Sequence, residues 1–81
     1  MNIYVGRLND AITSFHLELL FGHFGEVERV NMIRDRETGG SRHFGFVEMK
    51  DPMAAQEAIS KLVGARLEGA QLLVKPARDR N

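Results

Sequence analysis

The sequence predicts an α+β fold, a four-stranded antiparallel sheet with two helices on one face in the order βαββαβ, and three observations predict it. Four short segments alternate apolar residues with polar or aromatic ones at the period of two that strands show. Two longer segments repeat apolar residues at i, i+3, i+4 and i+7, as an amphipathic helix does. Breaks rich in glycine and polar residues separate these segments. At 81 residues, with 43% hydrophobic and 27% charged composition, all six segments must share one core.

The elements follow in order. Asn2 to Gly6 reads as the first strand: Ile3 and Val5 point one way, and Tyr4 is left on the other face. Thr13 is placed to cap a helix that runs to about His23 and ends at Gly25, with Leu17, Leu20, Phe21 and Phe24 as its core stripe. Val27 to Arg34 is the second strand, with Val27 close to the turn, Val30 and Met32 inward, and Asn31 and Ile33 outward. The polar stretch from Asp35 to Ser41 contains two glycines and joins two antiparallel strands. In the third strand, from about His43 to Met49, Phe44 and Phe46 share one face while Gly45, Val47 and Met49 share the other. Asp51 is the N-cap and Pro52 the first residue of a second helix, whose stripe is Ala55, Ala58, Ile59 and Leu62. Gly64 stops that helix. A short hairpin region around Leu67 to Gly69 then leads to a last strand, Gln71 to Lys75, with Leu72 and Val74 inward and Pro76 closing it.

This order is a split βαβ, ferredoxin-like sandwich, and right-handed crossovers place the first and third strands in the middle of the sheet. Tyr4, Phe44 and Phe46 then stand together on the face that no helix covers. A single sheet in a chain this short has little to bury that face against, so exposed rings ask for a ligand. Flat rings on an open strand surface suit nucleic-acid bases. Rings also favour strands for structural reasons, and a dimer or a C-terminal segment could cover them instead.

At this point two segments carry a family resemblance. Ile3-Tyr4-Val5-Gly6-Arg7-Leu8 resembles the hexapeptide of the RNA recognition motif, departing only at Arg7, where asparagine is frequent. Arg42 to Met49, RHFGFVEM, resembles its octapeptide at Arg42, Phe44, Gly45, Phe46 and Val47. His43 replaces a glycine and Met49 a final aromatic; Met49 faces the core by alternation, whereas His43 brings a β-carbon where backbone freedom is usual. The resemblance covers essentially the whole chain and is closest to the short, single-domain bacterial type. It implies that Tyr4 and Phe46 stack on bases of single-stranded RNA, that Phe44 rests on a base or between sugars, and that Arg42 reaches a phosphate.

The remaining site candidates are placed by alternation and charge. Arg7, Asn31, Glu48, Leu73 and Lys75 lie on the open face, Arg34 and Arg36 in the loop, and Arg78 in a short tail expected to be flexible from about residue 77. Eleven basic residues balance eleven acidic ones, which counts against a nonspecific grip on phosphates, so any binding depends on where charges sit. Sorted by topology, cations exceed anions on the sheet face, its loops and the tail; the helix side, with Arg29 counted there, is acidic. Leu73 and Ile33 extend the apolar patch and suit either bases or a protein partner. No cysteine is present, and the three histidines lack the i, i+4 spacing of a metal site. Gly39 and Gly40 lack the lysine and helix start of a phosphate cradle, and no nucleophile is paired with a base. The expectation is a monomeric, cytoplasmic single domain that binds single-stranded RNA, or short single-stranded DNA as well, without catalysis or cofactor. A protein-interaction module using the same face is the alternative.

Overall fold

The computed structural model describes residues 1–34 and 41–77. Its elements are β1 (Asn2–Gly6), α1 (Ser14–Gly22), β2 (Val27–Arg34), β3 (Ser41–Met49), α2 (Pro52–Leu62), β4 (Arg66–Leu67), β5 (Ala70–Gln71) and β6 (Leu73–Pro76). β2, β3, β1 and β6 form the main sheet in that order, every neighbouring pair antiparallel. The two strands richest in outward rings are thus the central ones, as the crossover argument requires.

Side-chain alternation on β1 and β3 builds the core from one side. Ile3, Val5, Val47 and Met49 are fully buried, and they meet Leu17 and Phe21 of α1 and Ala55, Ala58 and Leu62 of α2. Val74 of β6 and the adjoining Leu72 complete the layer. The alanines let α2 lie close to the sheet. Ala54 also touches Gly25, where an added β-carbon would come within 2.7 Å of the alanine methyl, so that glycine permits the close approach of the chain after α1 to α2.

Both helices start as their sequences require. The Thr13 hydroxyl accepts from the His16 backbone N–H at 3.4 Å, and His16 Nδ1 accepts from the Thr13 N–H at 3.0 Å, a capping box with histidine in the place usually held by glutamate or glutamine. The Asp51 carboxylate accepts from the Met53 N–H at 3.0 Å, and Pro52, which has no N–H to satisfy, follows it.

Two expected boundaries hold, and two details of the expectation do not. α1 ends at Gly22 with His23 as its cap, within one residue of the expected end at about His23. β2 spans Val27–Arg34 as expected, with Val27 paired opposite Met49 in the strand rather than in the turn. The last strand of the main sheet starts at Leu73; Ala70 and Gln71 pair instead with Arg66 and Leu67. Ile59 is only half buried, and Ala54 takes its place in the core. The β4–β5 hairpin closes on Glu68 (φ 49°) and Gly69 (φ 83°), two successive positive values that define the primed turn preferred between twisted strands.

One helix surface remains uncovered. Phe15 and Leu19 sit one turn apart on α1 and are 63% and 58% exposed. The stripe predicted for that helix says nothing about them, since they lie off its core face.

Candidate nucleic-acid interface

Antiparallel register turns three separate sequence segments into a small grid on the open face. Tyr4 lies opposite Phe46 on one side and Lys75 on the other, and Phe46 lies opposite Asn31. The middle row therefore reads Asn31, Phe46, Tyr4, Lys75. The row toward the C-terminal end of β3 holds Arg29, Glu48 and Asn2, with the Ala77 N–H donating to the Asn2 carbonyl at 2.9 Å. The opposite row is apolar, with Phe44 on β3, Gly6 on β1 facing Leu73 on β6, and Ile33 on β2 by alternation.

The rings themselves touch. Tyr4 is offset-stacked with Phe44, centroids 5.7 Å apart and planes 25° apart. Phe46 stands edge-on to both, 5.8 Å from Tyr4 and 6.1 Å from Phe44. Such offset and edge-to-face pairs suit the ring quadrupoles, and all three rings stay half buried, each leaving surface to solvent. Gly6 explains the pose of Tyr4: a β-carbon there would come within 2.7 Å of the phenol, so the ring occupies the space above the glycine. The Lys75 ammonium sits over it, 5.1 Å from the centroid.

His43 occupies the usual glycine position with φ at 69°, and Arg7, the other departure on this face, has φ at 60°. Both are in the left-handed region that favours glycine and tolerates asparagine better than arginine. The two residues flank the point where β1 is tied to β3. There the Leu8 N–H donates to the His43 carbonyl at 2.9 Å, and the His43 imidazole meets the Leu8 carbonyl at 2.9 Å. A carbonyl oxygen only accepts, so Nδ1 carries the proton in that bond. The imidazole bond offsets part of the backbone cost. Alanine at 43 keeps the strain and loses the bond, so His43→Ala should destabilise the fold by about 1–2 kcal/mol, whereas His43→Gly, which relieves the strain, should stay within about 0.5 kcal/mol of the parent. Urea denaturation of the three proteins checks that order.

Of the sequence-predicted residues, the fold brings Tyr4, Phe44, Phe46, Asn31, Glu48, Leu73 and Lys75 onto one face, with Arg7 at its edge. The side chains of Arg34 and Arg42, and residues Arg36 and Arg78 altogether, lie outside the described residues. Arg29 requires a correction. Glu28 is the extra residue of an irregularity between Val27 and Arg29, and Arg29 pairs with Glu48, which puts it on the sheet face rather than the helix side. Its alternation with Val30 carried that signal. The move strengthens the cationic character of the open face. Among the described residues no group of histidine, cysteine or carboxylate side chains could hold a metal, and no helix is long and apolar enough to cross a membrane.

A split βαβ sheet with a ring platform, flanking amides and a cation is the architecture of a module that binds unstacked bases. The family profile described as RNA recognition motif matches residues 3–73, and the chain belongs to that family. It is similar to RbpE of Nostoc sp. (strain PCC 7120), at 46% identity over 80 residues that cover 99% of this chain and 81% of the relative. Among solved structures, the crystal structure of RNA-binding protein PG1 superposes with a TM-score of 0.96 at 46% identity, covering 100% of this chain and 98% of that one. An SXL-lethal protein/RNA complex superposes at 0.86 with 38% identity, covering 94% of this chain and 47% of that one.

Proposed function

We propose that the protein binds single-stranded RNA on the open sheet face as a monomeric, non-catalytic, cytoplasmic single domain, and that Tyr4, Phe44 and Phe46 are the surfaces on which bases stack. The observation that carries this reading is the mutual contact of those three rings on the face opposite the helices, in a chain of the RNA recognition motif family. Stacking is worth about 1–3 kcal/mol per base. The exposed lysine–ring contact it has to displace is worth about 0.5–1 kcal/mol, so a base wins the Tyr4 face. Lys75 is then released toward the phosphate of the stacked nucleotide. Arg29 and Arg7 supply further charge at the rim, with Arg42, Arg34, Arg36 and Arg78 as candidate phosphate contacts. Asn31, Glu48 and Leu73 border the stacked bases.

Because charge is balanced overall, stacking should dominate affinity and electrostatics should add a modest share. Titration of a short single-stranded RNA across a range of salt concentrations tests both. Binding should be measurable, and log K should fall against log salt with a slope of about −2, as expected when about three cations meet phosphates of a single strand. No binding to any single strand would overturn the reading, and a slope several times steeper would assign the affinity to charge instead of rings.

A further inference from the structure

We propose that Glu48 selects guanine at the nucleotide whose base stacks on Phe46, an inference that rests on the base-stacking reading above. Phe44, Phe46 and Glu48 face outward in succession along β3, so the carboxylate follows the ring by two residues, roughly 6.6 Å of strand. Register sets Asn2 and Arg29 on either side of Glu48, and Asn31 beside Phe46. A carboxylate in the middle of a face that receives RNA repels phosphates, and among the described residues no hydrogen bond or ion pair engages Glu48. Its place is favourable when it bonds a base.

The chemistry of the four bases then decides which one. An ionised carboxylate only accepts, through two oxygens side by side. Guanine presents two adjacent donors on its Watson–Crick edge, N1–H and the N2 amine, which match those oxygens as a bidentate, charge-assisted pair. In adenine and cytosine the exocyclic amine adjoins a ring-nitrogen acceptor, and in uracil the lone N–H lies between two carbonyl oxygens. Each of these sets a lone pair against the carboxylate. Asn31 carries an amide donor for guanine O6, and Arg29 offsets the carboxylate's repulsion of the backbone. The apolar row of Phe44, Ile33 and Leu73 has no such hydrogen-bonding group, so the discrimination belongs to the Phe46 position.

The test is fluorescence anisotropy with short oligouridines that carry one central guanine, adenine, cytosine or inosine. The unaltered protein should bind the guanine strand roughly tenfold more tightly than the adenine strand, in line with the discrimination of a good bidentate pair. Inosine, which keeps N1–H but lacks the N2 amine, should fall between them. Glu48→Gln should bring the guanine-to-adenine ratio close to one, because its amide sets an N–H against one of guanine's donors. Equal affinity of the unaltered protein for all four strands, or a preference that survives in Glu48→Gln, would overturn the assignment. The inosine arm needs no variant, so a poorly folded substitution does not blunt the test. Absence of binding to every strand would instead overturn base stacking itself.

Discussion

Replacing Tyr4 and Phe46 together with alanine should weaken binding of a short single-stranded RNA by about 2–6 kcal/mol, roughly thirtyfold to twenty-thousandfold, since each ring offers one base a stacking surface. The two residues lie opposite each other on the central strands, so one nucleotide step spans them. They contact one another and Phe44, and neither belongs to the buried core. The double substitution breaks all three ring contacts, so the stability cost should be about 1.5–4.5 kcal/mol, and far-UV circular dichroism at low temperature should still show the folded domain. Phe15→Ala is the matched control: it removes an exposed ring from α1 and should leave RNA affinity where it was. Equal affinity for the double variant and the parent would show that the platform carries no binding energy.

The second large effect concerns Gly45, which lies between the two phenylalanines and points the opposite way. A β-carbon there would come within 2.9 Å of the Asn31 backbone oxygen and 3.3 Å of the Met32 α-carbon. Both are backbone atoms of the paired strand, so neither can swing aside. Gly45→Ala should push β2 from β3 at a cost of about 1–3 kcal/mol, lowering Tm by roughly 4–8 °C for each kcal/mol lost. It should also weaken RNA binding, because Asn31 and both flanking rings hang on that pairing. Gly22→Ala is the contrast: nothing lies within 4 Å of the added carbon at the end of α1, so this substitution should be neutral or stabilise by up to about 1 kcal/mol. A calorimetric scan in which the two variants melt alike would contradict the close approach of β2 to β3.

Much of this was legible in the residues. Alternation separates Tyr4, Phe44 and Phe46 from Ile3, Val47 and Met49 without any tertiary information, and the Thr13 and Asp51–Pro52 signals start both helices where they are observed. The family octapeptide's final ring is replaced by Met49, which alternation sends to the core, and it is fully buried there. What alternation could not carry is the backbone itself. Glycine's absence at 43 gives no sign that histidine will take a positive φ and bond Leu8, because that bond joins residues 35 positions apart. Arg7 adopts a positive φ for the same reason: the chain must turn out of β1 there whatever residue it carries. The split of the last strand into β5 and β6 depends on pairing with Arg66 and Leu67, a partner choice that a run of alternating residues leaves open.

RNA bases are expected to rest on the ring cluster of β1 and β3. Proton NMR of the aromatic side chains during titration with a short single-stranded RNA addresses it directly, since a stacked base shifts the ring beneath it. The resonances of Tyr4, Phe44 and Phe46 should move together and saturate at one equivalent, with Asn31 and Lys75 following, while Phe21 in the core and Phe15 on α1 stay in place. If Phe15 and Leu19 shift while the three sheet rings do not, the RNA lies on the helices and the account is wrong.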